Sequence, residues 1–256
     1  MSSVIQLQNL HKSYGSTPIL KGIDLSVSAG QVVGYIGPNG AGKSTTIKIL
    51  IGMLPDYTGE VTVLGMDVRT HALDIKRHIG YVPENAALYD ALTPMEYLQF
   101  IGQLYGLDSG QIDTKSLELL RLFQLSDYAN ARMTTFSKGM RQKVLLISGL
   151  LHNPDVVFLD EPLSGLDANA VLLVKEIIRK LANSGKTIFY SSHLMDVVEK
   201  ISDQIVIINH GQIIADGTFA ELQQQRPESL EQLFTELTGS EGQTEIADEF
   251  IDTLKH

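Results

Sequence analysis

The chain has 256 residues, 43% of them hydrophobic, and a formal net charge of −10, which fits one large domain, or one with an embedded subdomain, around a substantial core. The acidic balance disfavours nucleic acid and an unaided hold on an anionic leaflet, since both need a cationic surface, so membrane attachment is expected through a protein partner. With no cysteine there is no disulfide, thiolate chemistry or cysteine-ligated zinc.

Residues 4–10 and 19–27 read as strands about a turn near Gly15, and Val32 begins a short buried strand ending at Ile36. The start, MSSVIQLQNL, has no basic region and no long apolar run, so it is not read as a signal peptide. Residues 60–64 and 79–82 read as further strands, the second stopped by Pro83. Helical periodicity then takes over across residues 93–151. Thr93, Pro94 and Glu96 form a capping box, Ile112, Ser116, Leu119, Leu120 and Phe123 mark a second helix, and a third starts near Ser137. Strands return at 155–159 and 187–190, with helices at 169–182 and 194–200, and two strands flank the turn at 209–211. Residues from Thr218 on read as helical, and 240–256 as an acidic tail. No apolar run reaches the ~18 residues that would span a bilayer. The histidines His11, His71, His78, His152, His210 and His256 share no ligand spacing. Alternating strands and helices predict an α/β fold with a mainly parallel sheet. An N-terminal antiparallel β region and an inserted helical subdomain, about 92–152, complete it.

The sharpest motif is GPNGAGKST, which comprises Gly37, Pro38, Asn39, Gly40, Ala41, Gly42, Lys43, Ser44 and Thr45. It lies between a strand and an apolar-periodic helix, the context of a phosphate-binding loop. The glycines let the backbone curl its amides around an anion at the positive end of the helix. Lys43 then reaches the β- and γ-phosphates, and Ser44 offers its hydroxyl to Mg²⁺. Asp160 and Glu161 end a second apolar strand, beyond which ligands of open α/β sheets bind. Asp160 is placed to hold the Mg²⁺ shell and Glu161 to polarise an attacking water. His193, just past the strand at 187–190, falls on the same sheet edge, within reach of the γ-phosphate or the water. Ser137 and Gly139 open a helix whose N-terminus is an anion site, although by local sequence alone an ordinary capped helix explains them better.

Taken together, these residues resemble the ATP-binding subunit of an ABC transporter, with the family's motifs in order across nearly the whole chain. The resemblance implies an aromatic, Tyr14 in HKSYG, stacked on adenine. It implies that residues 37–45 cradle ATP, that Ser44, Glu84 and Asp160 serve Mg²⁺, and that Lys43, Glu161 and His193 carry hydrolysis. Phe136–Met140, FSKGM, falls on the signature usually written LSGGQ, residues 164–167 on the D-loop, and Glu84, in GYVPENAALY, where a glutamine is usual. Ser137 and Gly139 keep the phosphate-facing positions, and Lys138 is expected to point to solvent, with a place near the γ-phosphate as the alternative. These variants, and the ending SLEQLFTELTG, are similar to the subgroup that works with ABC-2-type membrane subunits, often exporters.

The resemblance implies an ATPase domain over 1–225, then a C-terminal helical extension and acidic tail over 226–256. The expected protein is an ATP- and Mg²⁺-dependent transport motor, cytoplasmic and peripheral at the membrane through a separately encoded multi-helix subunit, without nucleic acid. Two copies, or this chain and a homologue, pair so that each ATP lies between one subunit's phosphate loop and the other's Ser137 and Gly139. A non-transport ABC ATPase is the alternative; the single cassette and the lack of a long coiled coil between residues 46 and 135 speak against its usual forms. A P-loop kinase leaves the signature, D-loop and His193 unexplained.

Overall fold

The computed structural model describes residues 3–84, 88–223, 229–239, 250, 251, 253 and 254. In chain order the first elements are β1 (Ser3–Tyr14), β2 (Thr17–Ser28), β3 (Val32–Ile36), α1 (Lys43–Leu50), β4 (Thr58–Val63), β5 (Met66–Asp67), α2 (Ala72–His78) and β6 (Ile79–Val82). Three helices follow, α3 (Pro94–Leu104), α4 (Ser109–Leu122) and α5 (Lys138–Leu150). The chain then alternates through β7 (Val156–Asp160), α6 (Ala168–Asn183), β8 (Thr187–Ser191), α7 (Met195–Ile201) and β9 (Gln204–Asn209). It closes with β10 (Gln212–Gly217), α8 (Phe219–Gln223) and α9 (Leu230–Thr238). The expected acidic tail, at 240–256, falls mostly outside the described residues, as does the segment 85–87 after Glu84.

The central sheet runs β10-β9-β3-β8-β7-β6, parallel throughout except for β10, and a second sheet, β2-β1-β4-β5, is antiparallel. Parallel strands buried on both faces read as continuous apolar runs. Their two-residue period nevertheless divides each strand between two cores. Val32, Ile36, Val157, Leu159, Ile188 and Tyr190 face the helical side, whereas Val33, Tyr35, Val156, Phe158 and Phe189 face the antiparallel sheet and α1. The central sheet is thus the middle layer of three.

The helix starts follow their capping residues. Thr93 and Glu96 bond each other's backbone at α3. Asp108 caps α4, and Ser137 caps α5 by accepting from Met140 N at 3.2 Å. The first two strands extend beyond the expected 4–10 and 19–27, because β1 and β2 pair right up to the turn, Tyr14 opposite Thr17. Helix α2 and strand β5 were not legible in the sequence. One is a short helix that buries only Ile75, the other a two-residue ladder, and neither is long enough to display a period.

Helix α5 packs against β6 at a backbone crossing. A Cβ on Gly80 would lie 2.1 Å from the carbonyl oxygen of Gly149 and 2.9 Å from Pro154 Cγ. Replacing Gly80 with alanine is expected to cost about 1–3 kcal/mol of stability through forced backbone shifts. Urea unfolding measures this, and an unchanged midpoint would contradict the contact.

Candidate active site

Strands β3, β8 and β7 are adjacent and parallel, so their carboxyl ends share one edge of the sheet. Gly37 follows the first, Ser191 ends the second and Asp160 ends the third, with Asp160 directly opposite Ser191. Gly37 has no room for a side chain, since a Cβ would approach Ile208 O to 2.2 Å. Gly42 is left-handed, φ 115°, and caps α1 without a side-chain bond, which leaves the first amides of that helix facing outward.

A cavity of about 320 Å³ opens at this edge. Its walls are Asn39, Gly40, Gly42, Lys43, Ser44 and Thr45 from the loop and α1, the carboxylates Glu84, Asp160 and Glu161, and His193, with Ile19 of β2 at one side. Gly37 and Pro38 border a neighbouring cavity of about 370 Å³ with His193, Glu231, Phe234 and Thr235. Ala41 is buried, its amide on Pro38 O and its carbonyl accepting from Gly211 N. Tyr14 is half-exposed at the β1–β2 hairpin tip, with Lys12 Nζ 5.1 Å from its ring centre, and does not line the cavity.

Lys43 is 7% exposed, and its Nζ donates to Gly37 O at 2.6 Å and Pro38 O at 3.2 Å. Burial pushes its pKa down, and Glu161, Asp160 and Glu84 act against that fall. Buried Asp160 accepts from Ser191 Oγ at 2.6 Å, and the same Oγ accepts from Glu161 N at 3.1 Å. Ser191 therefore orients both acidic positions. The sequence placed it only at a strand end; its role follows from strand register, which a single sequence does not display.

Glu161 has a left-handed backbone, φ 49°, unusual for a residue with a side chain and a form of strain found at functional sites. Its Oε2 accepts from His193 N at 3.3 Å, while His193 Nε2 lies 3.0 Å from Oε1. That Oε1 is buried and makes no well-aligned hydrogen bond. Burial pushes the Glu161 carboxyl above its ordinary value, against the pull of His193 and Lys43. A half-desolvated carboxylate with a free lone pair, beside a lysine and a phosphate-type loop, is equipped to take a proton from water.

Ser137 and Gly139 do not border this cavity. Lys138, expected in solvent, is exposed, and from the surface its Nζ donates to Ser164 Oγ at 2.7 Å, its stem lying across Gly165. A second groove, of about 520 Å³, runs from Ser44, Glu84 and Asp160 to Met53, Tyr81, Tyr97 and Tyr105, between the central sheet and α3. Among the described residues, no helix is long and apolar enough to cross a membrane.

The family model described as ABC transporter matches residues 20–164. The linearmycin resistance ATP-binding protein LnrL of Bacillus subtilis is 38% identical over 86% of this chain and 70% of its own length. A solved ATP-binding subunit of an ABC transporter superposes with a TM-score of 0.86 at 32% identity, covering 92% of this chain and 99% of the other. A dimeric ATP-binding cassette in a post-hydrolysis state, bound to ADP and Pi, superposes with a TM-score of 0.78 at 25% identity, covering 84% and 98%.

The raised Glu161 pKa has a consequence for stability. Between its unfolded and folded pKa values the native chain holds a proton that the unfolded chain has lost, so stability falls as pH rises through that window. Glu161→Gln removes this penalty. The variant is expected to unfold at higher urea than wild type at pH 7, with the gap closing as pH drops below the ordinary value of 4.5. A lower midpoint for the variant at pH 7 would refute the burial cost.

Proposed function

Because the chain belongs to the ABC transporter family, as one of its ATP-binding and ATP-hydrolysing subunits, we propose that it powers export through a separately encoded multi-helix membrane subunit of the ABC-2 type. The convergence of Lys43, Asp160, Glu161 and His193 on one cavity at a helix N-terminus carries the ATP-hydrolysing part of this reading. The resistance function in the name of the Bacillus relative favours export over a non-transport ATPase.

In this reading the loop amides and Lys43 hold the phosphates of ATP, and Tyr14, at the hairpin tip, stacks on adenine. Ser44, Asp160 and Glu84 present only oxygen donors, and no three carboxylates or imidazoles gather as a metal cage among the described residues. That set suits Mg²⁺, which takes few protein carboxylates and completes its shell with water and phosphate oxygens. Once bound, the ion neutralises charge on the phosphates. Glu161 receives the proton of the attacking water, and His193 fixes its Oε2 through the backbone amide. Lys43 and the start of α1 stabilise the charge that develops on the transferring phosphoryl group.

The start of α5, kept away from the chain's own cavity, suits a site shared between two subunits, identical or homologous. Ser137 and Gly139 of one would close on the nucleotide of the other. The groove beside α3 suits a segment of the membrane subunit, and it shares Ser44, Glu84 and Asp160 with the nucleotide cavity. A partner seated there is moved by what the nucleotide does, and it keeps the chain peripheral at the cytoplasmic face of the membrane.

Glu161→Gln is expected to keep ATP binding while turnover falls ~10²-fold or more, a barrier increase of about 2.7 kcal/mol. Near-normal steady-state hydrolysis would remove Glu161 from its role. In mixed dimers, Ser137→Ala is expected to silence the site formed with the other chain's phosphate loop; loss confined to the site in the same chain would refute the shared arrangement.

A further inference from the structure

One face of the first two turns of α5 is fastened to the loop that follows Glu161. Lys138 Nζ donates to Ser164 Oγ at 2.7 Å. One turn further, the buried Gln142 donates from Nε2 to Pro162 O at 3.1 Å, and Lys143 Nζ lies 3.5 Å from Asp167 Oδ2. Between these bonds the two backbones touch. A Cβ on Gly139 would lie 2.6 Å from Gly165 O, and one on Gly165 would lie 2.9 Å from Lys138 Cγ and Cδ. Residues 138, 139, 142 and 143 fall together because three- and four-residue spacings share a helix face. At its other end the loop is anchored to Glu161 itself, whose carbonyl accepts from Ser164 N at 3.1 Å.

Ser164 is therefore held on both sides, by the backbone of Glu161 and by the ammonium of Lys138. We propose that Lys138 is a positioning residue for ATP hydrolysis: through Ser164 it ties the backbone of Glu161 to the start of α5. The proposal rests on the reading above, in which Glu161 serves hydrolysis. Glu161 is the place where such a tether matters, because its left-handed backbone is not self-supporting and must be over-determined by its surroundings. Gln142 and Lys143 grip the loop's flanks, at Pro162 and Asp167, whereas Lys138 alone of the three reaches its middle. The same bond occupies the Lys138 amine, which points it along its own chain's loop instead of toward a phosphate.

The test is steady-state ATPase activity and equilibrium ATP affinity of the full chain, as wild type, Lys138→Met, Lys138→Arg, Ser164→Ala and the Lys138→Met/Ser164→Ala double variant. Methionine keeps the unbranched stem over Gly165 and removes the donor. Lys138→Met and Ser164→Ala are each expected to lower kcat about fivefold, the scale of a small misplacement of a reacting group, with KM and ATP affinity held. The double variant should be no slower than either single one, because one bond is lost in all three. Lys138→Arg should recover most of the turnover. Losses that multiply in the double variant, or wild-type turnover in Lys138→Met, would overturn the proposal. So would weakened ATP affinity in Lys138→Met with Ser164→Ala silent, which assigns the charge to a phosphate. A wild type that hydrolyses no ATP would bring down the hydrolysis reading and this proposal together; an active wild type leaves the series to judge Lys138 alone.

Discussion

The register of β7 against β8 is the constraint on which the site depends. It sets Asp160 opposite Ser191, and one serine hydroxyl then serves two neighbours, donating to the Asp160 carboxylate and accepting from the Glu161 amide. A slip of one residue would turn every side chain of β7 to the other face. Phe158 and Leu159, now in opposite cores, would exchange places, and the carboxylate would leave the sheet edge. The apolar packing of both faces thus holds the charged groups at the edge, where burying them is costly.

That cost is visible in the two groups most removed from water. Burial lowers the pKa of Lys43 and raises that of Glu161, and each is partly restored by the other's charge. The lysine donates to loop carbonyls, and one glutamate oxygen makes no aligned hydrogen bond. An anion at the loop would offset the desolvation of Lys43, in a cradle of amides and one lysine that suits phosphate oxygens.

A second constraint runs through α5. Its start is shaped by Ser137 as a well-capped helix, and its flank is stitched to the loop after Glu161 at Pro162, Ser164 and Asp167. In the proposed shared-site dimer the helix start and Glu161 of one chain would serve different nucleotides. The residues after Glu161 and the first two turns of α5 are nonetheless bonded side by side.

The sequence alone determined the strands and helices that carry strong periods, the phosphate loop, and the acidic residues at strand ends, because these depend on local pattern and on residue chemistry at fixed spacing. Helices α3 and α5 announced themselves through capping residues, α4 through its apolar spacing, and Asp160, Glu161 and His193 through the apolar runs before them. Short elements such as α2 and β5 carried too little pattern to show. Tertiary structure decided what faces what. It brought Ser191 between the Asp160 carboxylate and the Glu161 amide, kept Ser137 and Gly139 off their own chain's cavity, and drew the Lys138 ammonium onto Ser164, 26 residues along the chain. Those pairings depend on strand order and helix packing, and separation along the chain carries no record of either.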